Sequence, residues 1–205
     1  LAVFSAMLVL TFARVAWVAL FLFVFLMALF RFRLLLFPLF LLPLVLFAFS
    51  PTFEARVIES FHPDPDSSLV WRATLWQDVI RYSVQEERTL LGSGMDTFPR
   101  VSESLRGTNH GPNDPHNDFV KFFVEGGLVG LGVFLTYLFL LARLMIRSYR
   151  TRRNKSALRL AFCMLFLFFL TLELSALTDN IFKNTPVQWL FFTAFGALLA
   201  LSEKK

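Results

Sequence analysis

The fold is decided by residues 128–159, which read LVGLGVFLTYLFLLA (128–142) and then RLMIRSYRTRRNKSALR (143–159). The first part has no charged residue and, with the apolar residues before it, is long enough to cross the roughly 30 Å hydrocarbon core of a bilayer. The second part has seven basic residues and no acidic one. By the positive-inside rule, such a basic cluster beside an apolar run lies in the cytoplasm. The pattern predicts a membrane protein and its orientation.

The composition of the whole chain agrees with a lipid environment. Of its 205 residues, 56% are hydrophobic and 27 are phenylalanine, which is more apolar surface than a soluble domain of this length can bury. The net charge is +5, but the basic residues stand beside apolar runs, which argues against a nucleic-acid partner. Cys163 is the single cysteine and lies in an apolar run, so no intrachain disulfide can form.

Counting outward from the basic cluster assigns the other segments. Residues 1–50 are predicted as transmembrane helices, the first of them truncated, and residues 51–117 as one large periplasmic loop. Residues 118–201 are predicted as transmembrane helices around the basic cytoplasmic loop 143–159, with residues 202–205 as a cytoplasmic tail. The prediction is an all-α polytopic membrane protein with five to six transmembrane helices and a partly helical extracytoplasmic loop.

The start of the chain, Leu-Ala-Val-Phe, lacks the basic region and the small-residue cleavage site of a signal peptide. We therefore expect the chain to be the C-terminal part of a longer protein. The N-terminal helices of that protein would then be absent here, together with any site residues that they carry.

Two helices are predicted in and after the large loop. The first is capped by Ser67 or Ser68 and extends to about Glu86. Its apolar face is predicted to carry Leu69, Ala73, Trp76 and Ile80. The second helix is predicted to start with Asp114 as N-cap and Pro115 at the first helical position.

The richest polar segment, residues 109–118, precedes the apolar run 128–142. There His116-Asn117 is followed, after nine residues, by Gly127-Leu-Val-Gly130. This pattern resembles the His-Asn-x9-Gly-x2-Gly signature of the O-antigen ligase and polymerase superfamily. The resemblance covers about residues 11–142.

Two further motifs occur upstream in the order that this family has. Trp71-Arg72-x3-Trp76 is similar to the family's Arg-x3-Trp, and Leu91-Gly-Ser-Gly94-x3-Phe98 is similar to its Pro-Leu-x-Gly-x-Gly stretch. Thr89 stands where the family usually has Pro. Ala13-Arg14 at a helix end resembles the family's Ser-Arg.

The resemblance implies a metal-independent, GT-C-like glycosyltransferase of the bacterial inner membrane, acting in lipopolysaccharide or related surface polysaccharide biosynthesis. Its donor would be a glycan linked to polyprenyl (undecaprenyl) diphosphate. Its acceptor would be a hydroxyl of lipid A-core, of a growing glycan or of a protein on the periplasmic face. No cofactor, metal or nucleic acid is implied, and ligase, polymerase and protein-glycan transferase all stay open.

Displacing a diphosphate from an anomeric carbon requires cations for the leaving group and a base for the incoming hydroxyl. His116, at the second position of the predicted helix, is the candidate base, because the helix macrodipole disfavours its imidazolium form. Arg72 and Arg14 are the candidates for the diphosphate, since a guanidinium fork fits phosphate oxygens. Asn117 and Asp114 are predicted to support the site.

Other interpretations of these residues stay open. His116 can hydrogen-bond within a capped turn, and Arg14 can extend to the membrane interface. His110 and His116 with Asp114 and Asp118 can ligate zinc or manganese, although the histidine spacing is not a helical i, i+4 pair.

A membrane transporter is the alternative of another class. Arg14 and Glu173 inside apolar runs are features that a transporter shares. Glu173 and Asp179, with Lys183 close by, either line a path or form interfacial ion pairs. The polar residues, however, concentrate in residues 51–117 rather than at the bilayer midplane, which favours chemistry at the membrane surface.

Overall fold

The computed structural model describes residues 14–62, 64, 67–107, 114–151 and 156–203, with the backbone alone at residues 14–16, 56 and 203. Its helices, in chain order, are α1 (Arg14–Phe30), a 3-10 helix (Arg33–Leu35), α2 (Leu36–Phe49), α3 (Pro51–Phe61), α4 (Ser68–Gln85), α5 (Phe98–Arg106), α6 (Asp118–Thr151), α7 (Ser156–Ser175), a 3-10 helix (Ile181–Lys183) and α8 (Thr185–Glu203). No strand occurs in these ranges, and the predicted all-helical class is confirmed.

Three of the described helices are long and apolar enough to cross a membrane: Asp118–Thr151, Ser156–Ser175 and Thr185–Ser202. A fourth candidate is the pair Arg33–Phe49 and Pro51–Phe61, which is bent by 101°. The chain is therefore a multi-pass membrane protein. The count of five to six crossings and the division into membrane segments and a periplasmic loop stay predictions.

The chain divides into two compact units, Leu1–Leu75 and Trp76–Lys205. In the first unit, aromatic rings join α1 to α2. Phe40 of α2 meets Phe21 and Phe25 of α1 edge-on, with ring centroids 5.8 and 6.3 Å apart. Edge-on packing of this kind is favoured by the ring quadrupoles, and it gives part of the phenylalanine content a packing role.

The second unit is built on α6, α7 and α8. Its core contains Phe134, Leu138, Met145, Phe162, Leu165, Phe169, Phe191 and Phe195. The ring of Phe134 stacks on Phe122 at 4.1 Å between centroids and meets Phe182 edge-on at 4.9 Å. At the far end of α6, Arg159 donates a hydrogen bond to the Tyr149 hydroxyl at 3.0 Å. Aromatic side chains thus make contacts at both ends of α6, with other rings at one end and with the Arg159 guanidinium at the other.

α6 is interrupted at Gly127, whose backbone is not helical (φ 63°, ψ −161°). Residues 89–94 fill this break, and four backbone hydrogen bonds of 2.8–3.2 Å join them to residues 124–129. The donors are the N–H groups of Ser93, Gly94, Leu128 and Val129. The backbone groups that an interrupted helix leaves open are therefore satisfied by a neighbouring segment.

Gly92 and Gly127 make this close approach possible. Both have a positive φ, 71° and 63°. A Cβ atom at Gly92 would overlap the backbone carbonyl of Glu125, and one at Gly127 would overlap the carbonyl of Leu90. The side chain of Glu125 also accepts a hydrogen bond from the Phe98 N–H at 3.2 Å, at the start of α5. The glycines of two sequence motifs thus share one structural role.

α4 begins as predicted but buries a different face. The Ser67 hydroxyl caps its first turn, and the buried side chains are Leu75, Val79 and Ser83. Ile80, on the face predicted to be apolar, is 40% exposed. Ser83 can be buried because its hydroxyl donates to the Val79 carbonyl at 2.9 Å. The predicted face was wrong because α4 has apolar residues on both faces, and hydropathy alone does not distinguish Leu75 and Val79 from Leu69 and Ile80.

Candidate functional site

α6 begins at Asp118, and Asn117 is its N-cap. The Asn117 side-chain oxygen accepts a hydrogen bond from the N–H of the third helical residue at 3.1 Å. The prediction of Asp114 as N-cap and Pro115 as the first helical residue was therefore wrong. The physical reason is His116, whose φ of 47° is incompatible with a right-handed helix.

His116 lies in a bend before the N-cap, not at the second position of the helix as predicted. Its side chain is 28% exposed, and its Nδ1 lies 3.4 Å from the Oδ1 of Asp179. A residue other than glycine with positive φ is uncommon, and such strain concentrates at functional sites. The tautomer that places its proton on Nδ1, toward Asp179, leaves Nε2 as a proton acceptor.

Asp179 lies in the α7–α8 connection, which we define as residues 176–184. Its side chain is half exposed, and its Oδ1 also accepts a hydrogen bond from the Asn180 N–H at 2.8 Å. This second bond restricts the rotation of the carboxylate. The oxygen that faces His116 is therefore held by the backbone of its own turn.

Asp118 fastens the α7–α8 connection to the start of α6. Its N–H donates to the carbonyl of Ala176, and its Oδ2 accepts from the N–H of Phe182, each at 2.9 Å. The side chain of Asp118 is buried. The carboxylate thus contacts the backbone. In the metal-site interpretation of the sequence it was a ligand of zinc or manganese.

Asp114 forms an ion pair instead of a helix cap. Its Oδ2 lies 2.6 Å from the Nζ of Lys183, a residue of the same α7–α8 connection. The hydrogen bond and the negative charge of Asp114 raise the pKa of Lys183 above its ordinary value. Lys183 is therefore an ammonium group at every physiological pH.

The tryptophan of the Arg-x3-Trp motif, Trp76, contacts the segment that carries His116. The Nε1 of Trp76 donates a hydrogen bond of 2.6 Å to the carbonyl of Pro115. Pro115 is buried and directly precedes His116. α4 therefore helps to fix the bend that carries the imidazole.

The two arginines predicted to bind the diphosphate belong to the unit Leu1–Leu75. Arg72 lies in α4 with a half-buried side chain. Arg14 begins α1, and its side chain lies outside the described residues, as does the whole of His110. The roles assigned to Arg72 and Arg14 stay predictions.

Within the described ranges, no group of three His, Cys, Asp or Glu side chains is arranged to hold a metal ion. Glu173 lines a recess of the second unit with Tyr137 and Gln188, and its Oε2 is buried without a hydrogen-bond partner among the described residues. Asp179 and Lys183 form separate pairs with residues of the His116 segment. For these two, the structure favours the ion-pair interpretation.

This arrangement can accept a proton. A carboxylate against Nδ1 orients the imidazole of His116 and stabilises the positive charge that it gains on protonation. The 3.4 Å between His116 and Asp179 is longer than an ordinary hydrogen bond, but catalytic contacts are often this loose before substrate binds. The contact has the geometry in which a carboxylate, here Asp179, orients a general base, here His116.

The pairing of Asp179 with His116 was not predicted from the sequence. The two residues are 63 positions apart, and no local pattern links them. The available signal was topological, because the segments that carry them were predicted at the same end of the membrane helices. Asp179 had been grouped with Glu173 and Lys183 only.

Comparison with known families agrees with the motifs. The family model described as O-antigen ligase matches residues 1–135, which include Arg14, Trp76, His116 and both interlocked glycines. No curated protein and no solved structure gives a significant match. The family match covers more than half of the chain and contains all the motifs on which the resemblance was based. The chain therefore belongs to the O-antigen ligase family.

Proposed function

We propose that the protein transfers a glycan from a polyprenyl-diphosphate donor to an acceptor hydroxyl on the periplasmic face of the bacterial inner membrane. Membership of the O-antigen ligase family indicates a membrane glycan-transfer role in polysaccharide biosynthesis. The observation that carries the finer proposal is the contact between His116 Nδ1 and Asp179 Oδ1 at the ends of apolar helices. A base held in this way is what activation of a hydroxyl requires.

In the proposed reaction, Nε2 of His116 takes the proton of the acceptor hydroxyl while the hydroxyl oxygen attacks the anomeric carbon. The bond from that carbon to the diphosphate oxygen breaks, and polyprenyl diphosphate leaves with the electron pair. Arg72 and Arg14 neutralise the charge that develops on the diphosphate. Asp179 stabilises the imidazolium until the proton passes to solvent.

The acceptor is lipid A-core, a growing glycan or a protein, so the protein acts as a ligase, a polymerase or a protein-glycan transferase. The position of the described polar pairs supports this class over a transporter. His116 with Asp179, and Asp114 with Lys183, lie outside the three membrane-spanning candidates. Chemistry at the membrane surface needs its polar groups there, whereas a transporter needs them near the midplane.

The proposal is tested with the full-length protein in proteoliposomes. The donor is a polyprenyl-diphosphate glycan, and lipid A-core, free glycan and a peptide are supplied as acceptors in separate reactions. We expect product with one acceptor class, formed equally well in EDTA. Absence of product with every acceptor would refute the transferase, and activity that EDTA removes and zinc or manganese restores would refute the metal-independent mechanism. The exposed His62, changed to Ala, is the control and should keep the wild-type rate.

The sidedness of the site is tested by cysteine labelling in a protein without other cysteines. Ser104 and Ser156 are both exposed and lie on opposite sides of the predicted membrane. We expect Ser104→Cys to react with an impermeant thiol reagent in intact spheroplasts, and Ser156→Cys to react only after permeabilisation. The reverse pattern would contradict a periplasmic site.

A further inference from the structure

We propose that Asp118 is a positioning residue for glycan transfer, which sets Asp179 against His116. The inference rests on the proposed function, because it gives Asp118 a role through that pair. It assigns Asp118 no contact with substrate.

The two hydrogen bonds of Asp118 bracket Asp179 symmetrically. One partner, Ala176, lies three residues before Asp179, and the other, Phe182, lies three residues after it. Both bonds measure 2.9 Å and come from a single residue, one from its backbone and one from its side chain. The turn that carries Asp179 is therefore fixed at both ends.

His116 is tied to the same residue through the chain. Asn117 alone separates it from Asp118, and the Asn117 side chain caps the helix that Asp118 begins. Asp118 thus joins the two segments that carry the imidazole and the carboxylate. The Asp114–Lys183 ion pair also joins them, but it is exposed to solvent, whereas the side chain of Asp118 is buried.

Further contacts restrain the turn that carries Asp179. The Asn180 N–H bond restricts the carboxylate of Asp179. The ring of Phe182 meets Phe134 in the core of α6 at 4.9 Å between centroids. These contacts restrain the backbone and the side chain of Asp179, and the two bonds of Asp118 join its turn directly to the helix that follows His116.

The burial of Asp118 argues for a specific geometric role. Its residue surface is 2% exposed, and burying a carboxylate costs free energy unless hydrogen bonds compensate. Here the side chain makes its compensating bond to the Phe182 N–H. An apolar residue could fill the space, but it could not accept this hydrogen bond. The attachment of the turn at Phe182 would then be lost.

A double-mutant cycle in the full-length protein tests the inference. Asp179→Ala should lower kcat by about 10²-fold or more and Asp118→Ala by up to about that factor, with the donor KM nearly unchanged, because loss or misplacement of a catalytic group acts on the chemical step. The double variant should be no slower than the slower single variant, since Asp118 acts through Asp179. Losses that multiply in the double variant would overturn the inference.

Asp118→Asn is the conservative rescue. Its amide oxygen can still accept the Phe182 N–H, so the variant should regain most of the turnover that Asp118→Ala loses. An Asn variant that melts at the wild-type temperature but is as slow as Asp118→Ala would contradict the positioning role of Asp118. If Asp118→Ala does not fold, the Asn variant decides alone: near-normal turnover supports the inference, and slow transfer with intact melting overturns it.

A cross-linking measurement reports the separation of positions 116 and 179 independently of transfer activity. A His116→Cys/Asp179→Cys pair, bridged by a short bis-methanethiosulfonate, should cross-link several-fold more slowly after Asp118→Ala and at the original rate after Asp118→Asn. Equal rates in all three backgrounds would overturn the inference. Absence of transfer by the wild type with every acceptor would instead refute the proposed function, and retained transfer in both His116→Ala and Asp179→Ala would refute the base assigned to it, so these failures are distinguishable.

Discussion

The two halves of the His-Asn-x9-Gly-x2-Gly motif are held by different kinds of contact. Around Gly127, four backbone hydrogen bonds and the absence of two Cβ atoms let residues 89–94 approach α6. Around His116, the contacts involve side chains: the cap by Asn117, the carboxylate of Asp179 and the indole of Trp76. Gly127 therefore serves the framework, whereas His116 presents a functional group.

Because the two halves are held differently, we expect changes in them to affect different properties, stability around Gly127 and turnover around His116. A change at Gly127 should alter the stability of the protein, because it disturbs backbone contacts that no side chain replaces. A change at His116 or Asp179 should alter turnover in a protein that remains folded, since these side chains are partly exposed. Thermal unfolding and transfer assays on the same variant therefore distinguish the two roles.

The largest effect among the partners of His116 is expected for Asp179→Asn. The amide cannot stabilise an imidazolium as a carboxylate does, so turnover should fall by about 10²-fold or more. The melting temperature should change little, because the side chain is half exposed. Steady-state transfer by a folded variant at the wild-type rate would place Asp179 outside the chemistry.

Gly127→Ala and Gly92→Ala should reduce stability next. Each forces a side chain into a positive φ and onto a backbone carbonyl, at a cost of at least about 1–2 kcal/mol. Thermal unfolding should show the loss, while transfer per folded molecule stays close to normal. Gly126→Ala is the matched control, since its Cβ would meet no atom within 4 Å. Equal melting temperatures for Gly126→Ala and Gly127→Ala would contradict the framework role.

The fold class could be predicted from the sequence because hydropathy and charge act over long segments. The helix of residues 128–142 and the basic cluster after it needed no tertiary information. The start of α6 could not be predicted as well, because Asp114 and Asn117 are both good N-cap residues and the positive φ of His116 has no sequence signature.

The candidate site was predictable only in part, for a similar reason. His116 was predicted through its motif, whereas Asp179 and Asp118 enter the candidate site through contacts between distant segments. Such contacts depend on how α6 and α7 pack, and a single sequence carries no record of that packing.

A moderate effect is expected for Arg72→Lys in the full-length protein. Lysine keeps the charge but loses the bidentate fork, so donor affinity and turnover should fall together, by roughly tenfold. Arg81→Lys in the same helix is exposed and serves as the control. If both variants bind donor like the wild type, Arg72 does not contact the diphosphate.

The smallest effect is expected for Asp114→Asn, which removes the pair with Lys183. The pair is exposed to solvent, so it contributes at most about 1 kcal/mol. Because folding raises the pKa of Lys183, the contribution is complete below the pKa of an unfolded lysine and is lost as pH rises through the folded value. The small melting difference should therefore be equal at about pH 6 and about pH 8. A loss of turnover as large as that of Asp179→Asn would move Asp114 into the catalytic group.

The claim that His116 is the base, while Gly127 serves the framework, is tested most directly by single-turnover transfer in His116→Ala with the donor already bound. We predict a rate about 10²- to 10⁴-fold below the wild type, with donor affinity and melting temperature nearly unchanged. Near-normal transfer by folded His116→Ala would contradict the claim.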